Sequence, residues 1–149
     1  MSESTLQSKA SIKGHPLHPM LVPFPIASFT GALVTDIVYW RPANIMWSNF
    51  SAWLITAGLV SGALAALAGL IDFASRPAIR AQRPAWPPAI GNTIAMLLSF
   101  VNILVHSRDG WTSVVPTGLI LSAVVVLILL FTGWMGGALV YRHRVGVKQ

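Results

Sequence analysis

The residues that could do chemistry here are four histidines, two aspartates and two asparagines. His15 and His18 stand three apart in GHPLHP (residues 14–19), Asp72 ends the stretch GLID, Asn92 follows Gly91, and His143 lies in YRHRVG. A second set is Asp36, Asn102 and His106. Histidine gains and loses its proton near neutral pH and is the commonest metal ligand. Three readings of the first set stay open. One is haem b, with axial histidines from facing helices such as His18 and His143. Another is a divalent-metal or proton site with Asp72 as ligand or acceptor. The third is structural, the histidines bonding backbone carbonyls and lipid headgroups at a membrane edge.

The aspartates divide in the same way. Asp72 precedes Arg76 by four residues, a spacing that pairs opposite charges on a helix, and a carboxylate at a helix C-terminus needs such a partner. An intramembrane carboxylate such as Asp36 is a functional candidate by default. A structural bond from Asp36 to Asn102 or His106, or to a snorkelling Arg41, is the competing reading. The chain has no cysteine, which excludes disulfides, thiolate zinc sites, iron–sulfur clusters and covalently attached haem. It has no phosphate-binding glycine loop, GxSxG or HExxH. Its four acidic residues leave little for hydrolytic catalysis.

The elements that must position these residues are set by composition. Of 149 residues, 54% are hydrophobic and 9% charged, against about a quarter charged in soluble domains. Four apolar segments, about 19–40, 49–73, 90–106 and 116–141, approach or exceed the ~20 residues of a membrane-crossing helix. The breaks are RPAN (41–44), SRPAIRAQRPAWPP (75–88) and SRDG (107–110). The expected fold is all-α, a polytopic four-helix transmembrane bundle occupying residues 14–147 behind a flexible polar tail, residues 1–13.

Four crossings put both termini on one face, face A. It carries Lys9, Lys13, Arg76, Arg80, Arg83, Arg142, Arg144 and Lys148, while face B carries Arg41 and Arg108. The positive-inside rule makes face A, with both termini, cytoplasmic. The net charge of +6 is thereby topological, and the clusters lack the basic stripe of a nucleic-acid binder. Trp40, Trp47 and Trp111 fall toward face B, and Trp86 and Trp134 toward face A, as interfacial belts.

Small residues recur at four-residue spacing: Ala27/Gly31/Thr35, Gly58/Gly62/Ala66, Ser61/Ala65/Gly69, Gly91/Ala95/Ser99 and Gly133/Gly137. Lipid gives helices no hydrophobic reason to associate, so close approach through such faces does much of the work. The two rows on the second span place it centrally or against another subunit. No internal repeat of the transporter kind is present.

Proline shapes the entry to the first span. Residues before proline avoid the α region, which applies to His15, His18, Val22 and Phe24, whereas proline suits the first helical turn. The expectation is a helix starting at Pro19 with His18 as its cap. Pro23 and Pro25 would free the carbonyls of Pro19 and Leu21.

GHPLHPMLVPFPI, GLIDF and TGWMGGALVYRHRVGV together resemble a bacterial four-helix membrane family known only as a domain of unknown function, over roughly residues 13–147. The resemblance implies a small bacterial inner-membrane protein. It carries an association with redox proteins of the Rieske or quinoprotein dehydrogenase kind, to which some relatives are fused or alongside which they are encoded. The family positions matched here are His15, His18, Asp72, Asn92 and His143. Two departures bear on the site: Pro87 or Pro88 stands where relatives often have a histidine, and Ala138 where they often have an acid.

The functional expectation is a redox-associated membrane subunit in the bacterial inner membrane. A haem b or quinone-proximal site at the cytoplasmic face would be built from His15, His18 and His143, with Asp72 and Asn92 in support. The alternatives are a non-catalytic anchor or scaffold for a partner protein, and a proton- or metal-linked transporter. Expected partners are the lipid bilayer, a redox protein and a second copy of the chain, not nucleic acid.

Overall fold

The computed structural model describes residues 10–12, 15–75, 77, 86–107 and 114–143, with side chains only up to residue 138. A two-stranded antiparallel hairpin, β1 (Ser11–Ile12) and β2 (His15–Pro16), leads directly into the first span. That span comprises α1 (Leu17–Leu21) and α2 (Pro23–Tyr39). It is followed by α3 (Ile45–Ser75), α4 (Trp86–His106), a π-turn (Val114–Gly118) and α5 (Leu119–His143). Four helical stretches, Leu17–Tyr39, Ile45–Ser75, Trp86–His106 and Val114–Ala138, are long and apolar enough to cross a membrane. The protein is an all-α membrane protein.

The pre-proline expectation is met at His15, which is extended, and overridden at His18, Val22 and Phe24, which take helical backbone. Helix α1 begins at Leu17, not Pro19, with extended Pro16 as its N-cap residue (φ −68°, ψ 129°). His18 is therefore a helical residue, and Pro19 falls in the first turn, where its missing N–H has no intrahelical partner to lose. Val22, before Pro23, is also α-helical (φ −53°, ψ −37°), and its N–H bonds to the His18 carbonyl at 3.1 Å. Packing against α3 holds the backbone in a region that the next residue disfavours. At Val115 the local rule wins: this residue before Pro116 is extended (φ −118°, ψ 126°), so regular α5 starts only at Leu119.

Successive spans pack side by side and α5 closes back on α2, so α2 and α4 lie on one diagonal of the bundle and α3 and α5 on the other. The packing is inverted relative to a soluble protein. Leu64, Leu67, Leu70, Leu97, Leu127 and Leu130 all point outward, as lipid permits. The interior is built from small and polar side chains around a mid-bundle cluster of Phe29, Ala32, Ile55, Ala95 and Val125. On α3 the buried positions are Ser48, Ser51, Ile55, Gly58, Gly62, Ala65, Ala68 and Asp72. They are spaced three or four apart, as in the seam of a left-handed helix pair. The two small-residue rows of α3 thus merge into one seam, with Ala66 outside it and exposed.

Glycine matters on this seam because partners sit where a Cβ would be. A Cβ on Gly58 would stand 2.6 Å from the Phe29 ring, and one on Gly62 would stand 2.6 Å from Met96 Sδ. Gly133, Gly136 and Gly137 have nothing within 4 Å of that position. Replacing Gly58 with alanine should lower stability in detergent by about 1–3 kcal/mol through overpacking, with partial recovery in Gly58→Ala/Phe29→Leu. Gly136→Ala should be close to neutral. Thermal unfolding followed by tryptophan fluorescence measures all three, and equal losses at Gly58 and Gly136 would contradict this packing.

Candidate functional site

Two groups of buried polar side chains lie at opposite ends of the bundle. At the face-B end, Asp36 of α2, Asn102 and His106 of α4 and Ser122 of α5 form one hydrogen-bonded network. His106 Nε2 meets Asp36 Oδ1 at 2.9 Å, with both side chains 0% exposed. The Ser122 hydroxyl donates to Asp36 Oδ2 at 2.5 Å, and Asn102 Nδ2 donates to Ser122 Oγ at 2.8 Å. His106 Nδ1–H donates to the Asn102 backbone carbonyl at 3.0 Å, which closes the ring. Helical geometry explains that last contact, since residues i and i+4 share a face.

The proton content of this network follows from its partners. A carbonyl only accepts, so His106 Nδ1 carries a hydrogen. The Ser122 hydrogen is spent on Asp36 Oδ2. One proton remains between Asp36 Oδ1 and His106 Nε2. With the proton on nitrogen the pair is imidazolium and carboxylate; with the proton on oxygen both groups are neutral. The pair has no net charge either way, which is what a low-dielectric interior tolerates. The Asn102 Oδ1 and Ser48 Oγ atoms are buried at this end with no partner among the described residues. Beside them, Thr35 and Ser51 bond to each other at 2.6 Å across the α2–α3 seam.

Among the competing readings of Asp36, the bond to His106 is the one realised. Asn102 reaches it only through Ser122, and Arg41 is exposed. Sequence reasoning missed Ser122. Its signal was a lone hydroxyl in the apolar run LILSAVVV, but nothing in the sequence aligns α5 with α2.

The residues singled out at face A take separate positions. His15 is on β2 and exposed. His18 is half-buried, and its Nδ1–H donates to the Ala65 carbonyl of α3 at 2.7 Å. Gly69 makes this approach feasible, because a Cβ there would lie 2.9 Å from His18 Nδ1. Asp72 is buried and its Oδ1 accepts the Ala10 backbone N–H at 2.9 Å. The Ala10 carbonyl in turn accepts from Leu17 N at 2.8 Å. Asp72 therefore anchors the chain just before the hairpin, drawing Ala10–Ile12 out of the tail and onto the bundle. Arg76 lies outside the described residues. Asn92 sits in the second turn of α4, since that helix begins at Trp86, and accepts from Thr132 Oγ1 at 2.6 Å. His143 ends α5, and its side chain lies outside the described residues. Pro87 and Pro88 occupy the first turn of α4.

A bis-histidine haem b needs two imidazoles whose outer nitrogens face the iron. His18 fits half of that requirement, because a backbone carbonyl accepting from Nδ1–H orients the ring and leaves Nε2 as the ligand. The described residues contain no group of three or more His, Cys, Asp or Glu side chains placed to hold a metal ion.

Residues 14–149 match the family described as predicted membrane protein (DUF2231), and the chain belongs to that family. This agrees with the resemblance to an uncharacterised membrane family. No curated protein and no solved structure matches the chain.

Removing one partner of a buried pair strands the other. His106→Ala or Asp36→Ala alone should cost about 3–5 kcal/mol, whereas Asp36→Val/His106→Leu should cost clearly less than the sum of the singles. A double-mutant cycle from unfolding in mixed micelles measures this, and strict additivity would disprove the pairing.

Proposed function

We propose that this member of the family is a small subunit of the bacterial inner membrane, both termini cytoplasmic, that holds and exchanges one proton for a redox system. The Asp36–His106 pair carries this reading. It is a carboxyl group and an imidazole at zero exposure, bonded Nε2 to Oδ1 at 2.9 Å. Buried ionisable pairs in membrane spans are expensive and mark proton relays and ion paths. A purely structural clasp could be made from uncharged partners, as Thr35–Ser51 and Thr132–Asn92 are here. The redox context comes from the association implied by the sequence resemblance. Redox reactions of quinone-like carriers take up or release protons, and a resident acid–base pair serves them.

A second reading has its own observation. His18, with Nδ1 committed to the Ala65 carbonyl, keeps Nε2 for a ligand. It would supply one axial position of a haem b at face A, with His143 as the candidate for the other. Bound haem would add electron transfer to the proton chemistry at the opposite face. The anchor or scaffold alternative asks nothing of either set of side chains.

The test is spectroscopic. In bilayers of 15N-histidine-labelled protein, the His106 signals should shift with pH between a hydrogen-bonded imidazolium and a neutral ring, and Asp36→Asn should abolish that shift. A His106 signal that stays constant over the whole range in which the protein remains folded would refute proton exchange. For the second reading, oxidised and reduced absorption spectra of the purified protein should show b-type bands that are lost in His18→Ala. Spectra containing only tryptophan absorption would reject it.

A further inference from the structure

Resting on the proton-holding reading, we infer that the Asp36–His106 pair exchanges its proton with face B alone. It therefore serves a proton-releasing or proton-consuming reaction on that face and is not a step in conduction across the bundle. The pair stands at the face-B end of every element that contributes to it. Asp36 is three residues from the end of α2, His106 is the last residue of α4, and Ser122 is the fourth residue of α5. The two buried polar atoms without partners, Asn102 Oδ1 and Ser48 Oγ, lie at this same end, where an unmet hydrogen bond calls for water. Ser48 is only the fourth residue of α3. Tyr39, buried, and Arg41, exposed, are the other titratable groups at this end among the described residues.

Toward face A the path is closed. Beyond the Thr35–Ser51 pair beside the network, the next polar pair is Asn92–Thr132. It is ten residues from Asn102 along α4 and ten from Ser122 along α5, or about 15 Å at 1.5 Å per residue. That is five hydrogen-bond lengths. The interval is filled by Phe29, Ala32, Ile55, Ala95 and Val125, with Met96, Ile128 and Leu129 packed against them. The seams are shut as well, because the Phe29 ring lies on Gly58 and the Met96 thioether on Gly62. The one buried hydroxyl on α4 in this interval, Ser99, donates to the Ala95 carbonyl of its own helix at 2.8 Å. The hydroxyl of Thr35 likewise lies against the Ala32 carbonyl at 2.9 Å. Neither points a proton across the gap.

The experiment uses the full chain in proteoliposomes containing an entrapped pH dye, with valinomycin and potassium to clamp the potential. The external pH is stepped while the Asp36 carboxyl infrared band, assigned by its absence in Asp36→Asn, is recorded. Orientation is scored by impermeant maleimide labelling of an Arg41→Cys variant. Expected is a dye signal no faster than in Asp36→Asn or protein-free vesicles. The band should respond at once in the fraction with face B outward, and in the remainder only after nigericin. Flux above the Asp36→Asn level, or a prompt response with face A outward, overturns one-sided access. A band that ignores pH even after nigericin overturns the proton-holding reading itself, and this inference with it.

Discussion

The bond between Asp36 and His106 fixes the arrangement of the whole face-B end. It reaches across a diagonal of the bundle, from α2 to α4, while Ser122 brings in α5 from the side. None of these groups can be left facing hydrocarbon, since an unpaired polar group there costs several kcal/mol. Any rotation or sliding of one helix that broke the ring would strand an ionisable group. The network therefore sets register and helix rotation, which apolar packing alone specifies weakly when lipid is as apolar as the core. Its value lies in specificity more than in net stability, because the pair's attraction is offset by the loss of hydration on burial.

The rest of the packing is subordinate to that registry. With many large apolar residues turned to lipid, the interior is built mainly from small side chains, with Phe29, Tyr39 and a few aliphatic and thioether groups among them. Glycines at 58, 62 and 69 seat Phe29, Met96 and His18 respectively. The same economy places His18 against the Ala65 carbonyl, so the geometry that makes this ring a structural tie also orients its outer nitrogen. One bond supports both a packing role and a ligand role. At the face-A end Asp72 does for the hairpin what Asp36 does for the spans. It holds the backbone of a short segment that has little apolar surface of its own.

Much of this was legible in the sequence, and the limits of legibility follow from physics. The four crossings and the low-charge interior follow from hydropathy, because membrane thickness sets helix length directly. Asp36 and His106 could be named as partners, since an intramembrane acid needs one and few exist in the chain. Ser122 could not be placed, because the rotation of α5 against α2 is settled by side chains far apart in sequence. The proline rules misplaced the start of the first helix by two residues. Pre-proline sterics is a preference of a few kcal/mol at most, and a long packed interface outweighs it at Val22 but not at Val115.

By itself, then, the sequence determined that this is a four-span membrane protein, which residues are too polar for lipid, and which small residues allow close approach. Those are properties of individual side chains and of helical periodicity. Only the tertiary structure decided how the polar residues combine. It separated His15, His18, Asp72 and Asn92 into different contacts and gathered Asp36, Asn102, His106 and Ser122 into one ring. It also set an apolar layer between the two ends. Periodicity gives each helix its faces, but which face meets which is decided by the simultaneous packing of all four.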